Sequence, residues 1–222
     1  LSAELGLRLS QVESAVGLID EGNTIPFIAR YRKEATGSLN DTQLRDLSER
    51  LEYLRSLEKR KAEVIEAVRG LEKLTPELEA GILAAETLAR VEDLYRPYKQ
   101  KRRTRASAAR EKGLEPLALR FLEQAGAALP EALAAPFVNA EHGVDTAEDA
   151  VAGARDIIAE MISDDAEIRG ELRERMLRTA VLKTSSEETE GVYAMYCDYA
   201  EAVAEVPGHR ILAVDRGERE GV

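Results

Sequence analysis

Asp41-Thr-Gln-Leu-Arg-Asp-Leu-Ser-Glu-Arg-Leu-Glu-Tyr-Leu-Arg-Ser-Leu-Glu-Lys-Arg-Lys-Ala-Glu-Val-Ile-Glu-Ala-Val-Arg69 contains neither glycine nor proline, and its apolar residues keep a helical period. Leu44, Leu47, Leu51 and Leu54 follow one another at spacings of three, four and three, and Leu57, Val64, Ile65 and Val68 extend the stripe. At 1.5 Å per residue this predicts a rod of roughly 42 Å. A helix that long, with one apolar face, is a strut on which other helices pack.

Upstream of the rod, Gly37 breaks the chain before Asn40-Asp41. Thr24 ahead of Ile25-Pro26 predicts a capped helix with proline in its first turn, burying Ile25, Phe27 and Ile28 and turning Arg30, Arg32 and Lys33 outward. Further up, Ser10-Gln-Val-Glu13 has the spacing of a capping box, and Gly22 is placed to close the helix it opens. Downstream, Thr75-Pro76 opens another helix and residues 91–94 a short one. Residues 114–124 read as helix, 126–130 as a break and 131–135 as a brief segment ended by Pro136. Thr146-Ala-Glu-Asp149 caps a helix over 147–162, whose apolar face includes Ala150, Val151, Ala154, Ile157 and Ile158. Ile168, Leu172 and Met176 mark the next. Residues 185–190 are polar and read as a mobile loop, and Pro207-Gly208 as a stop before Ile211–Val214. No strand pattern alternates for more than about five residues. The fold class expected is all-α.

Composition agrees. The chain has 222 residues, 44% hydrophobic and 33% charged, with three Phe, seven Tyr and no Trp, so its core is built from Leu, Ala, Val and Ile. The single cysteine, Cys197, excludes an internal disulfide and fits a reducing compartment. No stretch approaches the roughly 20 apolar residues of a membrane span, and no cationic leader opens the chain. The expected location is cytoplasmic. Leu rather than Met at position 1, and an end at Gly-Val, read as a trimmed fragment.

Charge is unevenly spread. Lys and Arg number 31 against 42 Asp and Glu, net −11. Between Leu94 and Arg110 stand Arg96, Lys99, Lys101, Arg102, Arg103, Arg105 and Arg110 with no carboxylate among them. Tyr95 and Tyr98 flank Pro97, which disfavours helix at Arg96, so residues 95–103 should be extended or turning. Cations on an irregular segment with aromatic faces suit a phosphate backbone. They equally suit a solvated loop that neutralises acidic neighbouring helices. Three to five of the seven reaching phosphates would give a log–log salt slope of about −2 to −3.5 on single strands, at roughly −0.7 per phosphate. Arg30, Arg32 and Lys33 form a second basic cluster, open to phosphate or to carboxylates such as Glu49 and Glu52.

Catalytic or metal chemistry finds little footing. His142 and His209 are the only histidines, far apart and beside turn residues, and nothing brings Cys197 or a serine to either. Asp164, Asp165 and Glu167 can be read as a cation site or as ordinary helix capping. Gly217 and Gly221 lack the preceding strand that a nucleotide fingerprint requires. Tyr193, Tyr196 and Tyr199 at spacing three are either base-stacking rings or a half-buried helix face. The reading is of no enzyme, no cofactor and no metal.

Several long segments resemble the bacterial Tex family. They are Asp20-Glu-Gly-Asn-Thr-Ile-Pro-Phe-Ile-Ala-Arg-Tyr-Arg-Lys-Glu-Ala-Thr-Gly37, Arg50-Leu-Glu-Tyr-Leu-Arg55, Glu92-Asp-Leu-Tyr-Arg-Pro-Tyr-Lys99, Lys101-Arg-Arg-Thr104, Ala109-Arg-Glu-Lys-Gly-Leu-Glu-Pro-Leu117 and Ala152-Gly-Ala-Arg-Asp-Ile-Ile158. The likeness runs from about residue 2 to the end. It departs from the family pattern at Arg96, Gln100 and Asp215, and Gln100 in place of a proline loosens the basic strip. The resemblance implies the N-terminal part of a longer transcription accessory protein, an elongated helical scaffold with helix-turn-helix-like pieces. It also implies that an RNase H-like domain, helix-hairpin-helix elements and an OB-type RNA-binding domain lie downstream. The expected organisation is a first helical region over 1–100, a second over 101–206 and the start of a further segment over 207–222. The expected partner is RNA or DNA, bound weakly and without sequence preference, with Arg30, Arg32, Lys33 and the seven strip cations as candidate contacts. The alternative is a protein-docking scaffold on the transcription machinery that touches no nucleic acid.

Overall fold

The computed structural model describes residues 1–100, 102–124, 129–186 and 190–221. Lys101, the first three residues of the expected break at 126–130 and residues 187–189 of the expected loop at 185–190 lie outside the described residues. The chain is predominantly helical, with one two-stranded antiparallel sheet among the described residues. It divides into two compact units, Leu1–Tyr95 and Arg96 onward.

The first unit holds α1 (Ser2–Leu5), α2 (Leu9–Asp20), α3 (Ile25–Tyr31), α4 (Asp41–Gly70), α5 (Pro76–Ala84) and α6 (Leu88–Tyr95). Helix α4 is the rod. Asn40 caps it, accepting from the Gln43 amide at 2.9 Å while the Gln43 side chain takes the Asn40 N–H at 3.1 Å. Leu44, Leu47, Leu51, Leu57, Val64, Ile65 and Val68 are buried, and Leu54 is half-buried. The N-terminal half of α4 joins Leu7, Val12, Ala15, Ile28 and Leu39 in one core cluster. Its C-terminal half packs on α5 and α6.

One buried residue on that stripe is charged. Lys61 donates to Glu58 at 2.7 Å and to the backbone oxygen of Leu83 at 2.9 Å. Leu83 lies in the last turn of α5, where the helix leaves carbonyls without partners and its dipole favours a cation. Tyr53 does the matching service at the start of α6, its hydroxyl oxygen accepting the Leu88 N–H at 3.2 Å.

Helix α2 begins earlier than the Ser10 capping box predicts. Arg8 is the N-cap and Gln11 the third helical residue, because the Gln11 carbonyl oxygen takes the Arg8 N–H at 3.1 Å. The Gln11 amide nitrogen then donates to Gly37 O at 2.9 Å, tying α2 to the turn after α3.

The second unit starts with a 3-10 turn at Arg96–Tyr98. It continues through α7 (Arg105–Glu111), α8 (Glu115–Glu123), α9 (Pro130–Ala134), α10 (Ala147–Asp164), α11 (Ala166–Thr179), β1 (Val181–Ser185), β2 (Asp198–Ala202) and α12 (Gly208–Glu220). Helix α10 is its centre, capped by the expected box: Thr146 Oγ1 accepts from the Asp149 amide at 3.1 Å and Asp149 accepts from the Thr146 amide at 3.0 Å. Ala150, Ala154 and Ile157 pack against Ala106 and Ala109 of α7 and Leu114, Leu117 and Ala118 of α8. Gly153 permits the approach, since a Cβ there would lie 2.4 Å from Leu114 Cδ1.

One local expectation holds with an exposed face, and two change. Ile168, Leu172 and Met176 do lie on a helix, α11, yet it buries no residue and they remain 44%, 54% and 53% exposed. Val181–Ser185 and Asp198–Ala202 pair as antiparallel strands, Val181 with Ala202 and Ser185 with Asp198. Pro207 is the N-cap of α12 rather than a stop, because a proline just ahead of a helix lacks only a donor that the first turn cannot use.

Candidate nucleic-acid interface

The basic strip begins where α6 ends. Pro97 sits in the 3-10 turn, residues 102–104 have no regular structure, and Thr104 then caps α7, accepting from Ser107 N at 3.0 Å. Arg105 and Arg110 therefore stand on a helix, one the sequence hides because 105–111 has few large apolar residues to show a period.

The strip lies along one edge of α10. Asp156, Glu160 and Asp164 recur at spacing four, so their carboxylates share a face. Each meets a strip cation: Arg105 approaches Asp156 at 3.4 Å, Arg110 pairs with Glu160, and Arg96 donates to Asp164 at 3.0 Å. Thr104 Oγ1 also donates to Glu160, at 3.0 Å. Arg110 reaches Glu115 at 3.3 Å and Arg103 reaches Glu111 at 2.9 Å. The acidic ladder has a period of four in the sequence, although its partners stand 50 to 68 residues upstream.

These contacts border an open groove of about 800 Å³, lined by Lys99, Arg102, Arg103 and Arg110 together with Glu111, Glu160, Asp164 and Asp165. Four cations face four carboxylates, so the groove is close to electrically balanced. Arg102 alone among the described strip arginines is exposed with no ion pair.

The second cluster is different. Arg30, Arg32 and Lys33 are all exposed, and none pairs with a carboxylate among the described residues; neither Glu49 nor Glu52 reaches them. The Arg32 guanidinium stands 5.5 Å from the Phe27 ring centroid, and the Phe27 and Tyr31 rings are 5.2 Å apart, tilted by 45°.

The other candidate groups are placed in structural work. Asp165 caps α11 by accepting from the Glu167 and Ile168 amides at 2.9 and 2.8 Å, while Asp164 is bound to Arg96. Among the described residues no group of three or more His, Cys, Asp or Glu side chains is arranged to hold a metal ion. His142 ends a 3-10 turn and His209 lies in the first turn of α12. The three tyrosines do not share a helix face. Tyr193 donates to Glu220 at 2.8 Å, Tyr199 donates to Glu201, and the Tyr196 and Tyr199 rings meet edge to face at 5.4 Å. Arg210 of α12 also donates to Glu201, at 2.6 Å, so this group fastens the strand pair to the last helix. Among the described residues no helix is long and apolar enough to cross a membrane.

A predominantly helical chain of two cored units, with most of its described strip arginines paired to its own carboxylates, is an all-α protein. The chain belongs to the Tex family: residues 1–69 match the Tex-like protein N-terminal domain and residues 126–222 the Tex central region. It is 49% identical to Protein tex of Bordetella pertussis (strain Tohama I) over 226 residues, covering 100% of this chain and 28% of the relative. It is 47% identical to the Transcriptional accessory protein Tex of Neisseria gonorrhoeae, covering 100% of this chain and 30% of the relative. A human relative, S1 RNA-binding domain-containing protein 1, is 31% identical over 91% of this chain and 21% of its own length. The chain thus spans less than a third of these relatives.

Proposed function

We propose that this chain is the N-terminal helical scaffold of a Tex-like transcription accessory factor, whose task is to position RNA-binding parts of the longer protein. Its own contact with RNA or DNA is weak and independent of sequence. The observation that supports this is the pairing of Arg96, Arg105 and Arg110 with the Asp164, Asp156 and Glu160 ladder of α10. Cations already held by carboxylates are poor phosphate ligands, because each must give up one partner to take another. The names of the relatives, a transcriptional accessory protein and an RNA-binding-domain protein, support the transcriptional setting. The helix-turn-helix-like character belongs to the same proposal: α2 and α3 are joined by four residues, a length such motifs use. We place the chain in the cytoplasm and assign it no catalytic role.

Docking on the transcription machinery is a second reading, favoured by the uncovered apolar face of α11. The scaffold reading is tested by separating stability from binding. Arg110→Ala should lower the melting temperature by several degrees and leave oligonucleotide affinity at a given salt nearly unchanged. Arg110→Ala with parental melting and lost binding would overturn it.

A further inference from the structure

We infer that the exposed end of α3 and the turn after it form a binding site for single-stranded polynucleotide, with Tyr31 and Phe27 as stacking faces and Arg30, Arg32 and Lys33 as phosphate ligands. This deepens the proposed function and rests on its reading of the chain as part of a nucleic-acid-associated factor. Tyr31 is 62% exposed and Phe27 37%, so Tyr31 is the more open ring of the pair, Phe27 lying beneath the Arg32 guanidinium. Aromatic faces beside unpaired cations are what a single strand needs, since every base has a π-face and every linkage a phosphate. The α10 edge answers most strip cations with carboxylates, whereas Arg30, Arg32 and Lys33 have no such answer. One carboxylate, Glu34, shares their turn, and the nearby Asp41 is taken by Arg45 at 2.6 Å.

The turn is also built to hold its shape. Thr36 is fully buried, and its hydroxyl donates to Arg32 O at 3.1 Å while its amide donates to the same oxygen at 3.1 Å. Ser38 N donates to Lys33 O at 2.7 Å, and Gln11 holds Gly37 O from α2. Gly37 and Ser38 both adopt left-handed backbone, φ 60° and 67°, which is costly for serine and is kept only where surrounding bonds enforce it. The Arg8 guanidinium lies over this turn, 3.0 Å from where a Cβ on Gly37 would stand, and adds a fourth cation to the rim. Side chains projecting from a fixed backbone lose less freedom on binding than those of a loose loop.

The test is fluorescence anisotropy of the full chain with labelled oligo(U), oligo(dT) and a duplex of matched length, titrated with salt. Arg30→Ala/Arg32→Ala/Lys33→Ala should flatten the single-strand slope by about 2, at roughly −0.7 per phosphate. Tyr31→Ala should weaken single-strand binding about tenfold, Tyr31→Phe should not, and duplex affinity should be indifferent to both, because paired bases cannot stack on the ring. Oligo(U) and oligo(dT) bound alike means backbone and ring recognition; preference for oligo(U) assigns the site to RNA, and both outcomes support it. Tyr31→Ala binding single strands like the parent overturns the site. So does an unchanged slope in the triple variant, or a parent chain that binds none of the three probes at low salt. The first two failures leave standing the scaffold reading, whose test is the melting behaviour of Arg110→Ala. A parent that binds no probe removes the weak nucleic-acid contact from that reading as well, but not its positioning role. All four positions are exposed, and far-UV circular dichroism verifies that each variant is folded.

Discussion

Glu160 accepts from two groups on a distant stretch of chain, Thr104 Oγ1 at 3.0 Å and the Arg110 guanidinium. It is largely buried, so its removal strands the Thr104 hydroxyl against α10 and leaves Arg110 with Glu115 alone. We predict that Glu160→Ala costs about 1–3 kcal/mol of unfolding free energy in a urea titration, the range for losing hydrogen bonds to a charged group. Exposed Glu141→Ala is the control and should cost almost nothing. A second residue-scale prediction concerns acid. The Tyr199 hydroxyl and then the Arg210 guanidinium hold the Glu201 carboxyl below its usual range, and Arg55 does the same for Asp20. A carboxylate whose folded pKa is depressed contributes stability above its unfolded value and loses it as pH falls through the folded value. Melting temperature should therefore hold from neutral pH down to about 4.3, the ordinary glutamate value, and fall below it. Glu201→Gln should make that fall shallower, and an unaltered pH profile in this variant would contradict the assignment.

At the scale of elements, α4 carries the first unit through a single stripe. Leu51 is buried and Glu52 exposed. Leu51→Ala should cost roughly 2 to 5 kcal/mol, the range for emptying a buried leucine site, while Glu52→Ala leaves the unfolding midpoint nearly in place. Equal effects would mean the stripe does not face the core. Helices α4 and α10 were legible in the sequence because each joins a local cap, Asn40 or Thr146, to a long period near 3.6. Helix α7 was not, since its buried face is Ala106 and Ala109 inside a run read for its charge. The strand pair was hidden for another reason. Its strands are five residues long and include Lys183, Asp198 and Glu201, so their pairing depends on Tyr199, Glu201 and Arg210 meeting in space. The charge clusters were plain in the sequence. Which of them is compensated was not, because Arg110 and Glu160 are 50 positions apart.

The whole chain divides at Tyr95, and each unit has its own core cluster, Leu44 and Leu47 with Val12 and Ile28 in one, Leu117 and Ile157 with Ala154 in the other. Residues 1–95 prepared alone should keep a helical far-UV spectrum and a cooperative melt. A noncooperative melt would show that the first core does not suffice by itself. In a chain that spans between about a fifth and a third of its relatives, separately cored units mean that a destabilising change in one need not erase the other.

Lys61 and Lys59 differ by two positions on one helix, yet the first side chain is 8% exposed and the second 79%. An amine-reactive label therefore meets two very different nucleophiles on α4. Lys59 should be modified quickly, and Lys61 only when α5 lifts from α4 and releases the Leu83 carbonyl. The ratio of the two modification rates, read by mass spectrometry, is a clock for that opening in the intact molecule. Comparable rates at Lys59 and Lys61 would show that the end of α5 is already undocked in solution.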